Sequence, residues 1–332
     1  MALAVVESLE AGFSSVQQWL FEHAIEPLAV WLGFSNLLTD AYDATGWLVV
    51  GVVQIAVMLV LIAPMERFFP AEPLSDRRAV RVDVAYTLIH RLGLFKLLMF
   101  FTVQDWLREG FGVLRAQGFP TFHLDQIWPG LTDQPLLSFC IYLVLFDFLQ
   151  YWIHRAQHGL EPWWALHALH HSQRQMTMWT DNRNHLLDDM VGDAIFVVVA
   201  MLVGVPPGQF VAVVAVSQLS ENLQHANVRL RWWPWLERLW VSPAFHRLHH
   251  AVGIGHESDA EPASSLTPRG GALGGHNFGV LLPWWDMLFG TARFGDPLQP
   301  TGVRDQVEQG RDYGKGFWAQ QRLGLLRLIG RA

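Results

Sequence analysis

The stretch DFLQYWIHRAQHGLEPWWALHALHH, residues 147–171, decides how the rest of the chain is read. It holds His154 and His158 as an HxxxH pair, then His167, His170 and His171 as HxxHH. On a helix, residues three and four apart are neighbours, with Cβ atoms ~5–6 Å apart. HxxxH therefore presents two imidazoles on one face, and HxxHH gathers three around one turn. A second HxxHH lies at His246, His249 and His250. Neutral imidazole suits iron, copper and zinc. A lone histidine is ordinarily a surface or core residue. Three helical clusters beside apolar segments are different, because buried imidazoles without a shared partner would leave many polar nitrogens unsatisfied. A tetrahedral zinc takes four ligands, and the clusters hold twice that number, so they suit two metal ions.

Working outward, composition points to a membrane. The 332 residues are 51% hydrophobic and 16% charged, with 16 tryptophans and 21 phenylalanines, which fits apolar spans bordered by aromatic belts. A formal charge of −7 argues against nucleic acid as a partner, since no basic stripe is available for phosphates. Cys140 is the only cysteine, which excludes an internal disulfide and a cysteine-ligated iron–sulfur cluster within this chain.

Residues 1–45 contain no Lys or Arg, and Glu7 and Glu10 stand where a secretory signal would be basic. Phe13 to Phe34 reads as an amphipathic interfacial segment. Trp47 to Pro64 with its flanks reaches the ~20 residues of a spanning helix. Arg67, Arg77, Arg78 and Arg81 follow it, so the positive-inside rule places the N-terminus outside. A weaker span is expected over 85–103, then a loop with an interfacial helix over 105–134, and a further span over Leu136 to Ile153. Val191 to Val205 and Gln209 to Leu223, separated by Pro206-Pro207, read as a hairpin of two short helices. This plan brings every histidine cluster to the cytoplasmic side. RLRWWPWLERLW, residues 229–240, fits the membrane surface. Residues 253–275, rich in Gly, Ser and Pro, read as a flexible loop.

Asp147, Tyr151, His154 and His158 lie on one helical stripe. An Asp inside an apolar span is costly and faces a protein interior or a site. Asp147 is expected to accept a proton from the far nitrogen of a ligating imidazole and so fix its tautomer, with Tyr151 beside it. His225 is a further candidate ligand. His185 is either a ligand, a residue lining the site, or the partner of Asp188. His23 and His123 are expected at the surface, His90 in a structural role and His256 in the loop. His276 is left unassigned.

HRAQH, HALHH, HAN and FHRLHH, in that order and closed by NFGVLLPWWDMLFGT at 277–291, resemble the fatty acid hydroxylase/sterol desaturase superfamily of integral membrane di-iron oxygenases. The resemblance covers roughly residues 135–295. It implies an all-α membrane bundle of about four spans plus interfacial helices, with a cytosolic histidine-rich cap. Two iron ions would be held by His154, His158, His167, His170, His171, His225, His246, His249 and His250, with His185 lining the site. The chain departs from the family pattern at His276, where an acidic residue is usual, and in the insertion-like 253–275 loop. Residues 1–134 then form an N-terminal membrane region with two spans, 135–295 the catalytic region and 296–332 a C-terminal cytosolic tail.

With O2 as co-substrate, such a site hydroxylates or desaturates an unactivated C–H bond of a lipid drawn from the bilayer. Each cycle needs two electrons. The chain has no GxGxxG fingerprint and no cluster-binding cysteines, so a separate ferredoxin, cytochrome or reductase is expected at the cytoplasmic face, in a plan that fits a bacterial inner membrane. Two rivals stand beside this reading. A membrane zinc hydrolase would need fewer histidines, and HExxH is absent. A metal transporter would string its ligands along a path through the membrane, whereas these gather at one face.

Overall fold

The computed structural model describes residues 2–120, 122–131, 133–254, 274–295 and 298–332. Among them the fold is all-helical, and extended backbone pairs only in an isolated antiparallel bridge between Ala251 and Thr301. The loop expected over 253–275, with His256, falls largely outside the described residues.

Two helices are long and apolar enough to cross a membrane, Ser35–Phe68 and Pro135–Gly159. Protein covers only 28% of the apolar window in each, so both leave broad apolar faces that suit lipid rather than water. Val52, Val53, Leu59, Val60 and Leu61 are exposed on the first. That helix passes through a π-turn at Met58–Ile62 just before Pro64, where the missing N–H interrupts the regular ladder.

The weaker span expected over 85–103 is a bent pair, Arg77–Arg91 and Leu94–Ala116, which meet at 55° and make a third crossing if taken as one span. The bend falls at Gly93, whose φ of 85° is left-handed backbone that glycine adopts without a Cβ penalty. The expected hairpin forms as Leu186–Val203 and Pro207–His225. Neither half is among the helices long and apolar enough to cross, and the first opens with Asp188, Asp189 and Asp193.

Helix 135–159 starts with Pro135 at its first turn, where a missing N–H costs nothing. At 1.5 Å per residue its 25 residues reach ~37 Å, enough to cross the apolar core and emerge. It buries Ser138, Tyr142, Phe146, Asp147, Tyr151 and His158, a stripe close to the helical period. Tyr142 and Phe146 meet Phe196, Phe210 and Val213 of the hairpin, with Phe146 and Phe196 ring centroids 4.7 Å apart. The upper part of this stripe is therefore packing, and the lower part carries histidine.

The 172–183 loop is tied down by charge. Arg183 donates to Asp83 at 3.0 Å, Gln173 also donates to Asp83, and Arg91 donates to Asp181 at 3.2 Å. All of these side chains are buried. Breaking one such buried pair costs ~3–5 kcal/mol, so the loop is held against helices 77–91 and 207–225.

The expected C-terminal tail also docks. Arg327 Nε, in helix Phe317–Leu328, donates to the Ala165 carbonyl at 3.1 Å, and Gln321 Nε2 donates to Tyr86 Oη at 3.0 Å.

Candidate metal centre

Four helices deliver the histidines: 135–159, Glu161–His171, 207–225 and Pro243–His249. The first two are joined through extended Leu160, with Pro162 opening the second. Two sets of four rings result. One is His154, His158, His171 and His249; the other is His170, His225, His246 and His250, and the nitrogens offered within each set all lie within 4.8 Å of one another. The sets touch, since the stacked rings of His171 and His250 have centroids 4.4 Å apart.

Helix geometry explains the division. His154 and His158 are four apart and fall in one set, as His246 and His250 do in the other. Adjacent residues on a helix point about 100° apart. Each HH doublet is therefore split: His170 and His171 go to different sets, and so do His249 and His250. Grouping by cluster does not reveal this division, although the i, i+4 rule contains it.

Hydrogen bonds fix which nitrogen is offered. His154 Nδ1 donates to the Phe278 carbonyl at 2.9 Å, His249 Nδ1 to the His276 carbonyl at 2.8 Å and His225 Nδ1 to the Glu221 carbonyl at 2.8 Å. A carbonyl only accepts, so in the neutral ring Nε2 carries the lone pair. In the second set Nε2 of His225 lies 3.1 Å from Nε2 of His170 and 2.9 Å from that of His246. Burial holds His170, His171, His246 and His250 well below the ordinary imidazole range, and neighbouring imidazoles add to it. Neutral, buried, convergent nitrogens form a donor set that fits metal ions; without a cation, several lone pairs would face one another.

His167 belongs to neither set but lies between them, its ring centroid 5.1 Å from His158 and His171 and 5.4 Å from His170. Its Nδ1 is 2.9 Å from Asp188 Oδ2, while its buried Nε2 has no hydrogen-bond partner among the described residues. Asp188 also accepts from Gln157 and from Trp163 Nε1.

Three expectations for supporting residues are corrected. Asp188 pairs with His167, not His185. His185 caps helix 186–203 by accepting from Leu187 N, and its Nε2 lies 2.9 Å from the Gln321 carbonyl. Both ring nitrogens are thus engaged outside the two sets. A Cβ at Gly324 would come within 2.3 Å of that ring, so glycine lets helix 317–328 close on it. Asp147 holds no imidazole. It stands seven residues before His154, ~10 Å along the axis, and accepts instead from Leu281 N at 2.7 Å, Leu282 N at 3.1 Å and Trp285 Nε1 at 2.9 Å. It acts on the centre through backbone, by anchoring the segment that presents Phe278 O to His154.

Tyr151 meets the same 277–291 segment and, among the described residues, its ring pairs with no imidazole of the two sets. Its hydroxyl lies 3.0 Å from Thr291 Oγ1, and its ring sits beside Phe278 and Phe289. Asp286 was not marked by the sequence analysis. It gathers Phe278 N, Gly279 N and Thr291 Oγ1, which shapes the turn bearing Asn277 at φ 63°. Among the remaining histidines, His123 is exposed and His90 lies 3.3 Å from Asp189.

Helices with broad apolar faces thus close on two four-histidine sets that could each hold a metal ion, which defines the class as a membrane protein with a candidate metal centre. Comparison with known proteins supports the fatty acid hydroxylase/sterol desaturase superfamily: residues 139–291 match the fatty acid hydroxylase model. It is 28% identical to an ornithine lipid hydroxylase of Rhizobium tropici over 82% of this chain and 76% of that protein. It is 26% identical to human alkylglycerol monooxygenase, over 48% of this chain and 31% of that one. A Delta(7)-sterol-C5(6)-desaturase of Nicotiana tabacum is 26% identical over 48% of this chain and 50% of its own length. By name these relatives are a lipid hydroxylase, a monooxygenase and a sterol desaturase. No solved structure matches the chain.

Proposed function

We propose that the chain is an O2-dependent di-iron oxygenase that hydroxylates an unactivated C–H bond of a membrane lipid. The observation that carries this reading is the pair of buried four-histidine sets, one for each ion. Bound iron would supply the activation of O2. The protein's own part is to keep the imidazoles neutral, to orient them through the Phe278, His276 and Glu221 carbonyls, and to exclude water. His167, oriented by Asp188, offers its Nε2 between the sets and completes the nine proposed ligands. Hydroxylation consumes the lipid, O2, two electrons and two protons, and yields the alcohol and water. The electrons come from a separate ferredoxin, cytochrome or reductase.

Desaturation is the second reading, favoured by the likeness to a sterol desaturase. Among lipids, the ornithine lipid named for the Rhizobium tropici relative is the leading candidate class, because that likeness runs through most of both chains. The topology we propose is about four spans with the N-terminus outside and the histidines in a cytosolic cap, in a bacterial inner membrane.

Oxygen uptake by iron-loaded protein, with mass analysis of the lipid, tests the function. Gain of one oxygen atom supports hydroxylation, and loss of two hydrogens supports desaturation. Lipid cleavage without O2 use would point to a hydrolase, and metal passage across vesicles without turnover to a transporter. Sidedness is tested at exposed Gln309. With Cys140→Ser, a Gln309→Cys variant should escape an impermeant thiol reagent in intact cells and react after lysis. Labelling in intact cells would overturn the topology.

A further inference from the structure

Helix Phe317–Leu328 turns its polar side to the protein and its apolar side outward. Its buried residues are Gln320, Gln321, Gly324 and Arg327. Gln321 accepts from Leu186 N at 2.9 Å and donates to the Asn184 carbonyl at 3.1 Å, and Gln320 donates to the Gly314 carbonyl at 3.2 Å. On the opposite face Trp318, Leu325 and Ile329 are 80%, 47% and 61% exposed. With Arg322 they are spaced i, i+4, i+7 and i+11, which makes one stripe about 16 Å long. A surface helix in water buries its apolar stripe and wets its polar face. The inverted order calls for an apolar cover over the stripe.

Charge says what that cover is. Residues 313–332 carry Lys315, Arg322, Arg327 and Arg331 and no Asp or Glu, in a chain whose formal charge is −7. Lys315, Arg322 and Arg331 are exposed, and none is in an ion pair among the described residues. Basic residues around a stripe of Trp and Leu are the pattern of a helix lying in a membrane interface. Its 12 residues span ~18 Å, too short to cross. A second copy suits the face poorly, because a two-fold contact sets a patch against itself and would bring these cations toward their own counterparts. An acidic protein would meet the cations too, but lipid already borders the adjoining helix. Phe317 lies 4.8 Å from the Tyr86 ring of helix 77–91, the first half of the bent pair, which exposes Leu88, Leu92 and Leu94.

We propose that helix 317–328 lies in the plane of the bilayer surface, with Trp318, Leu325 and Ile329 in the apolar boundary and Lys315, Arg322 and Arg331 on anionic phospholipid head groups. Its polar face meanwhile holds helix 161–171 at the Ala165 carbonyl and engages His185 through the Gln321 carbonyl. The leaflet surface thereby becomes a fixed support for the helix that carries His167, His170 and His171. This needs the membrane but not the oxygenase reading, so either can fail alone.

A polarity-sensitive dye on Leu325→Cys, in a Cys140→Ser background, tests it in lipid nanodiscs, where both faces are open to solvent. The same dye on Gln309→Cys is the exposed reference. In discs of phosphatidylcholine with phosphatidylglycerol, iodide should quench the dye at 325 about fivefold less than at 309, and brominated lipid should quench it instead. Arg322→Gln should restore part of the iodide quenching, as should discs of phosphatidylcholine alone, since each basic residue near an anionic surface contributes about fivefold. Ile329→Cys supplies a second site on the stripe if the 325 variant does not fold. Equal iodide quenching at 325 and 309 in the mixed discs overturns the proposal and leaves the stripe to an acidic protein. Shielding from iodide without quenching by brominated lipid overturns it too, and assigns the stripe to a second copy if the shielding vanishes in discs holding one chain. Brominated-lipid quenching that is indifferent to phosphatidylglycerol overturns the anionic lipid as partner.

Discussion

The two histidine sets are built from the same ligand chemistry but stand in different surroundings. The set of His154, His158, His171 and His249 is backed by protein: Phe278 and Trp164 lie against its rings, and the carbonyls of Phe278 and His276 orient two of them. His170, His225 and His246 of the other set border a cavity of about 250 Å³, which His154 alone of the first set also lines. The first set is thus the more enclosed side of the centre, and the second contributes three of the four set histidines that line the cavity. Support is divided as well. Asp147 and Asp286 act on the enclosed set through the 278–285 segment, whereas Asp188 acts on His167 between the two.

The strongest way to break this comparison is to remove one ligand from each side. His170→Ala and His249→Ala should each abolish turnover, a loss beyond the ~10–100-fold typical of residues that only orient ligands. Both proteins should still insert in the membrane, because the apolar spans are untouched. Near wild-type oxygen uptake in either variant would show that set to be structural.

Asp188→Ala comes next. It frees His167 Nδ1 and removes the acceptor for Gln157 and Trp163, so turnover or metal affinity should fall by ~10–100-fold. Because His167 lies between the sets, titration with iron should show both sites weakened. Weakening confined to one site would assign His167 to that side.

Asp147→Ala should be milder for chemistry and heavier for stability. It leaves Leu281 N, Leu282 N and Trp285 Nε1 without an acceptor, at ~1–3 kcal/mol for each buried group. The thermal midpoint should drop by several degrees, and turnover should fall less than in Asp188→Ala. A larger loss of turnover than in Asp188→Ala would mean that Asp147 has a direct part in the reaction.

The smallest effect is pH dependence in metal-free protein. Burial lowers His170, His171, His246 and His250 in the folded state, while the unfolded chain protonates near the ordinary ~6.5. Below that value the unfolded state binds more protons, so stability falls as pH drops through ~6.5 and is recovered above it. Chemical unfolding midpoints at about pH 5.5 and about pH 7.5 check the sign. A higher midpoint at the lower pH would contradict neutral buried rings.

Much of this was legible in the sequence. The i, i+4 spacings placed His154, His158, His246 and His250, and the apolar runs placed both strong spans. What escaped were partners set by tertiary contacts. The expectation for Asp147 assumed that a carboxylate on the histidine stripe would reach an imidazole, but backbone N–H groups from 134 and 135 residues away reach it first. His185 reads as a candidate ligand because it stands at the border of the hairpin, or else as the partner of Asp188. Its nitrogens are engaged by its own helix and by a C-terminal helix whose docking no local pattern announces. The same holds for Asp286, which acts only once the 277–291 segment folds around it.

Metal counting on the ligand variants tests the central claim most directly. After anaerobic loading with iron, wild type should hold about two ions per chain, consistent with four ligands for each. His170→Ala and His249→Ala should each retain the ion of the intact set. A single tightly bound ion in fully loaded wild type, or an unchanged count in both variants, would contradict a centre built from two four-histidine sets.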